Sequence, residues 1–296
     1  MTAWLDLMRT PHSVRRVDAG GTPTRVLRAG PVVAGEAAHG EAEAVVMLHG
    51  TSGHLEAFTR TVPAHAAAGY DVHAIDMLGH GWTGNRGVKQ EIPRYVEHLV
   101  DYLDAAGLQT VHVVGESLGG WVAAYLATDH AERVASLQLL AAGGTVANPE
   151  VMERIRTSTT KAVTTDDVDL TRKRLELLMA DPAKDVSDEL VQVRHAIYHA
   201  PDFVENLPNL LCLQDMETRQ RNLLREDRMA KISQPTLVVW GRKNPFGDVP
   251  EAERMAEAIP GARLELFDEC GHWPQHERVD LYDPLSLEFL SANPIS

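Results

Sequence analysis

The stretch Val113-Val114-Gly115-Glu116-Ser117-Leu118-Gly119-Gly120 constrains this chain more than any other. An apolar run with strand character, Thr110–Gly115, passes without a linker into a helical pattern over residues 118–130. A turn that sharp has no room for side chains at the positions flanking its central residue, and glycine stands at both 115 and 119. Such a turn sets the Ser117 hydroxyl at the head of a helix, where partial positive charge favours developing negative charge. A chance glycine–serine loop would seldom fall between the two elements that the motif requires.

The rest of the chain repeats the same grammar. Ala44–Leu48, Tyr70–Met77, Val134–Ala141, Pro235–Trp240 and Ala262–Phe267 are continuous apolar runs, as expected of strands covered on both faces. Helical patterns lie between them, at about residues 56–68, 92–106, 251–259 and 276–291. That alternation predicts an α/β fold with a mostly parallel sheet and helices on both faces. His12–Asp18 and Thr24–Ala29, around a Gly20-Gly21 turn, predict an N-terminal hairpin. From Thr145 to Lys231 the chain is helical and polar with no strand-like run. The organisation expected is therefore a core of residues 1–144 and 232–296 with a helical lid, 145–231, over the C-terminal edge of the sheet.

Forty-two acidic against 28 basic residues give a formal charge of −14. Nucleic acid and anionic membrane surfaces would repel such a chain, so a small-molecule substrate is the expected partner. Cys212 and Cys270 have neither CxxC nor metal-ligand spacing and read as unpaired thiols in a reducing compartment. Residues 1–16 lack a signal-peptide pattern, and no apolar stretch reaches spanning length. A cytoplasmic location is expected, and a homodimer is compatible with these features.

A serine hydroxyl is inert until a base takes its proton. Of 14 histidines, His272 follows the last strand run, in Cys270-Gly271-His272-Trp273, and comes after Ser117 in chain order. The oxyanion needs two backbone donors, for which Leu118 N–H and Thr51 N–H are the natural choices. His49 reads as a brace for the Thr51 loop. The acid should lie three residues after Gly241, where the chain has Asn244. Asparagine can fix the histidine tautomer but offers no charge, so Asp248, four residues on, is the favoured acid and Asn244 the alternative. No dinucleotide glycine motif or metal spacing appears, and serine chemistry of this kind calls for no cofactor.

With these residues in place the sequence resembles the meta-cleavage product hydrolases, α/β-hydrolases that cleave carbon–carbon bonds in 2-hydroxy-6-oxo-dienoates. The resemblance runs from about residue 44 to the C-terminus. It is strongest at Trp240-Gly241-Arg242 and Cys270-Gly271-His272-Trp273-Pro274-Gln275-His276-Glu277. It implies an α/β-hydrolase fold, substrate contacts from Trp273, and a carboxylate-binding arginine on the lid. Asp188-Glu189-Leu190-Val191-Gln192-Val193-Arg194 matches that lid segment, and Arg194 also interrupts the apolar stripe of Leu190 and Ile197. Arg219, Arg221, Arg225 and Arg228 read instead as a solvated face. The sequence departs from the family pattern at Glu116, where an asparagine is usual, in the short Thr51-Ser52-Gly53-His54 loop, and at Asn244. Hydrolysis of a vinylogous diketone is the first expectation. A carboxylesterase or lactonase on the same residues, and a non-catalytic ligand-binding protein, are the alternatives.

Overall fold

The computed structural model describes residues 3–295. Its sheet has eight strands: β1 (His12–Ala19), β2 (Thr22–Ala29), β3 (Ala44–Leu48), β4 (Asp71–Ile75), β5 (Val111–Glu116), β6 (Val134–Leu140), β7 (Thr236–Gly241) and β8 (Arg263–Phe267). They lie in the order β1-β2-β4-β3-β5-β6-β7-β8. β1 and β2 form the expected hairpin, closed by Gly20 and Gly21 at φ 57° and 82°, and β2 is antiparallel to β4. The pairings from β4 through β8 are parallel.

Every residue of β3, β4, β5 and β7 is buried, which is why these segments read as mainly apolar, with Asp71, His73, His112, Glu116 and Thr236 as buried polar exceptions. Alternate side chains feed two cores. Val46, Leu48 and Val113 meet α2 (Ile92–Ala105) and α3 (Leu118–Asp129) on one face. Val45, Met47 and Val114 meet α1 (Val62–Ala67) and Tyr282, Phe289 and Leu290 of the C-terminal helix on the other.

After β6 come α4 (Pro149–Thr164), α5 (Val168–Glu176), α6 (Asp188–Tyr198), α7 (Pro201–Leu210) and α8 (Met216–Asn222), with no strand among them. α9 (Val249–Ala258) and α10 (Val279–Ser291) complete the core. The α4–α8 segment has its own apolar cluster around Val163, Ile197, Tyr198, Phe203 and Leu207. Leu175, Leu178, Leu190 and Val191 belong instead to the core cluster that holds Val45, Met47 and Val114, so this segment is packed onto the core. β3 is flanked by β4 on one side and β5 on the other, so the chain reverses its winding there. Loops leaving β3 and β5 at their C-terminal ends face each other across that switch, where ligands of open α/β sheets gather.

Candidate active site

Ser117 occupies the turn between β5 and α3 at φ 52°, ψ −112°, a conformation that costs a non-glycine residue energy. The close packing around it explains the glycines. A Cβ at Gly115 would lie 2.4 Å from the Gly119 carbonyl oxygen, and one at Gly119 would lie 2.1 Å from that of Leu48. Leu118 is the first residue of α3, where a helix leaves its N–H free, and Thr51 lines the same cleft beside Ser117 and His272. His49 braces the Thr51 loop: its Nδ1–H donates to the Gly50 carbonyl at 2.9 Å and its Nε2 accepts from Met77 N–H at 3.0 Å.

His272 is held from three sides. Its N–H donates to the Leu178 carbonyl at 2.8 Å, the Phe246 ring meets it edge-on at 4.9 Å, and Asn244 Oδ1 lies 2.8 Å from its Nδ1. Phe246 N–H donates to the same Asn244 atom at 3.1 Å, which identifies that atom as the amide oxygen. Nδ1 therefore carries the proton and Nε2 is the free lone pair. Burial, with Arg174 nearby, pushes His272 down to about 3, so the ring is neutral across the ordinary pH range. Glu277, buried on the short Pro274–Glu277 turn, accepts from Gly271 and Trp273 N–H and from Ala180 N–H. It ties this loop to the α4–α8 segment.

The favoured acid is elsewhere. Asp248 caps α9, its Oδ1 accepting Glu251 N–H at 2.9 Å, and the structure does not bring it to His272. The reason is local. The turn after β7 closes with Asn244 N–H on the Gly241 carbonyl, so the side chain three residues past the glycine faces the histidine. Asp248-Val249-Pro250-Glu251, an acidic residue followed by a proline-bearing first turn, was the available sign of a helix start.

Arg194 is buried on α6, 1% exposed, and its orientation is built by a relay. The Glu56 carboxylate accepts from His54 Nδ1–H at 2.8 Å, leaving His54 Nε2 to accept Arg194 Nε–H at 2.8 Å. Arg194 Nη1 donates to Tyr198 Oη, which donates in turn to Ser52 Oγ, and the guanidinium lies 5.5 Å from the centre of the Trp273 ring. Nη2 has no partner. Two residues beside it had been given no role in the site. Arg174, 4% exposed on α5, donates to Thr159 Oγ1 and leaves Nη1 unpartnered. Glu116, the last residue of β5, is 1% exposed, and neither carboxyl oxygen makes a well-aligned hydrogen bond.

The cleft thus has two lobes that meet at Ser117 and His272. One is polar, with Glu116, Arg174, Arg194 and Trp273; the other is largely apolar, with Trp121, Val146, Val151, Ile155, Leu213 and Trp240. The expected solvated face needs correction at Arg219. That residue is buried at the apolar lobe, over the Trp121 ring at 5.1 Å and bonded to the Val146 carbonyl. Arg221 pairs with Glu91, and Arg228 covers Tyr125 while reaching Asp129. Cys212 and Cys270 are both free and buried. Away from the cleft, Asp166, His195 and His199 come within 4.8 Å of one another, their ring nitrogens engaged by Thr171, Asp166 and main-chain carbonyls. No helix among the described residues is long and apolar enough to cross a membrane.

Residues 43–279 match the family model of the alpha/beta hydrolase fold, and the chain belongs to that family of hydrolases. Among curated relatives it is 32% identical over 265 residues to the 2-hydroxy-6-oxononadienedioate/2-hydroxy-6-oxononatrienedioate hydrolase of Comamonas testosteroni, covering 85% of this chain and 89% of that one. It is 30% identical to the 2-hydroxy-6-oxo-6-phenylhexa-2,4-dienoate hydrolase of Burkholderia cepacia, with the same coverage. A solved meta-cleavage product hydrolase from Pseudomonas fluorescens superimposes with a TM-score of 0.79 at 25% identity, over 95% of this chain and 98% of that one. The relatives named are thus hydrolases of 2-hydroxy-6-oxo acids and of a meta-cleavage product, the class that the sequence resembles.

Proposed function

We propose that this chain cleaves a carbon–carbon bond in a carboxylate-bearing vinylogous diketone, with Ser117 and His272 carrying the chemistry and Asn244 orienting the histidine. The observation that carries this reading is Arg194. Burying a guanidinium is costly unless its charge is met, and an enzyme for neutral esters has no use for one beside its serine. Here the cation is held by His54, itself fixed by Glu56, and by Tyr198, with one nitrogen left over, as suits a ligand carboxylate. The curated relatives act on dienoates that carry such a group.

His272 first moves a proton from the enol oxygen to the carbon that will leave, giving the diketone. Ser117 Oγ, or a water in its place, then attacks the distal ketone as its proton passes to His272 Nε2. The N–H groups of Thr51 and Leu118 receive the oxyanion. Collapse breaks the C–C bond, and the electron pair moves along the conjugated chain to the oxygen beside the carboxylate, which takes the proton from the imidazolium. If serine was the attacker, water then releases the acyl group. The polar lobe holds the carboxylate and the apolar lobe the leaving acyl portion.

A two-substrate comparison tests this. 2-Hydroxy-6-oxo-6-phenylhexa-2,4-dienoate should be turned over with a higher kcat/KM than p-nitrophenyl acetate. Ester turnover with no cleavage of the dienoate would install the carboxylesterase reading instead.

The third member is tested separately. Asn244→Ala should lower kcat by about ten-fold, because a neutral hydrogen bond of about 1 kcal/mol is lost and the tautomer is released. Asp248→Asn should leave kcat within about two-fold, since asparagine caps a helix as well as aspartate does. The opposite ranking would return the role to Asp248.

A further inference from the structure

We propose that Glu116 is a specificity-determining residue that works as its neutral carboxylic acid, joining Arg174 and Arg194 in a receptor for a carboxylate with an oxygen on the adjacent carbon. The proposal rests on the reading above and names what the polar lobe recognises. Three polar groups without a well-aligned hydrogen bond line that lobe: Arg174 at Nη1, Arg194 at Nη2 and Glu116 at both oxygens. Two guanidinium nitrogens offer a carboxylate a donor each. A protonated carboxyl offers one more donor, suited to a keto, enol or enolate oxygen next to that carboxylate.

The position leaves Glu116 little alternative to being neutral. It is sealed at the end of β5, and its near approach to the neighbouring loop is permitted only because residue 50 is glycine, where a Cβ would lie 2.6 Å from Oε2. The charged and titratable groups facing it are His272, with Nε2 3.3 Å from Oε1, and the two arginines, with His54 and Tyr198 behind Arg194. His272 stays neutral and gives no counter-charge. Burial pushes Glu116 up to about 8, against the opposing pull of the Gly50 N–H and of Arg194 and Arg174. Ionised Glu116 would have no proton to donate and would repel an incoming carboxylate. Binding of the anion must therefore hold the proton on, so affinity is flat below the free-state value and falls above it, by up to about ten-fold per pH unit.

Calorimetric titration of the full chain with 2-oxohexanoate and with hexanoate tests this without any turnover. At pH 6.5 the 2-oxo acid should bind about five- to ten-fold tighter, the worth of one added hydrogen bond. Its affinity should fall above pH 8, and at pH 8.5 its heat should vary with the ionisation enthalpy of the buffer, reporting proton uptake. Glu116→Gln, whose amide does not titrate, should flatten the pH dependence, whereas ionisation of Tyr198 would leave it in place. Arg174→Gln should weaken both acids. Equal affinity for the two acids, or an unchanged pH profile in Glu116→Gln, would overturn the proposal. A chain that binds as described yet hydrolyses no dienoate would overturn the catalytic reading alone.

Discussion

Replacing Ser117 with alanine should lower kcat on the best substrate by about 10⁴–10⁶-fold while leaving the fold intact, the range in which loss of a serine nucleophile falls. Intactness is expected because alanine fits wherever serine does, including the φ of 52° that the turn imposes. The strain at residue 117 comes from the backbone and survives the substitution. What disappears is the hydroxyl at the head of α3, in the cleft that His272 also lines. His272 would keep its place, because Asn244, Phe246 and the Leu178 carbonyl fix it independently of the serine. The measurement is kcat for the dienoate, with circular dichroism confirming the fold. Retention of a tenth of wild-type activity would remove Ser117 from the reaction, both as nucleophile and as proton relay, and leave a water activated by His272 alone.

What could be read from the residues follows the range of the interactions involved. The strand–turn–helix at Ser117 was legible because its constraint is steric and local: Gly115 and Gly119 are dictated by atoms within a few residues or on the adjoining strand. His272 was legible from chain order, since the last strand must return its loop to the same edge. Arg194 showed as a charge inside an apolar stripe. The misplaced acid has a different origin. Chemistry prefers a carboxylate behind a histidine, and Asp248 satisfied that preference on paper while the N-terminus of α9 claimed its side chain. Arg174 and Arg219 were hidden because each lies in a polar stretch, and their burial depends on packing against Thr159, Phe246 and Trp121 from distant elements. Glu116 was visible as a departure from the family pattern. Its unmet oxygens, however, follow from the closure of β5, the Gly50 loop and the helices above them, which periodicity cannot report.

Arg194→Gln should separate substrates by charge, and that separation decides how far the likeness to dienoate hydrolases extends. In a chain of formal charge −14, long-range repulsion works against an anionic substrate, so a local cation has to supply the affinity. Glutamine keeps a polar head on α6 but loses the charge and the forked donor geometry. A charge-assisted hydrogen bond in a buried site is worth about 1.5–3 kcal/mol, so kcat/KM for the dienoate should drop about 10- to 150-fold. Arg174 remains in the same lobe and keeps the loss toward the lower end of that range. p-Nitrophenyl acetate has no carboxylate to present, and its kcat/KM should change by less than about three-fold. The substitution also leaves His54 without the Arg194 Nε–H at its Nε2, so thermal unfolding should be recorded alongside the kinetics. Equal losses on both substrates would make Arg194 a brace for the segment over the sheet, with the ligand held elsewhere. No loss on either would take the carboxylate out of the substrate and set ester hydrolysis ahead of carbon–carbon cleavage.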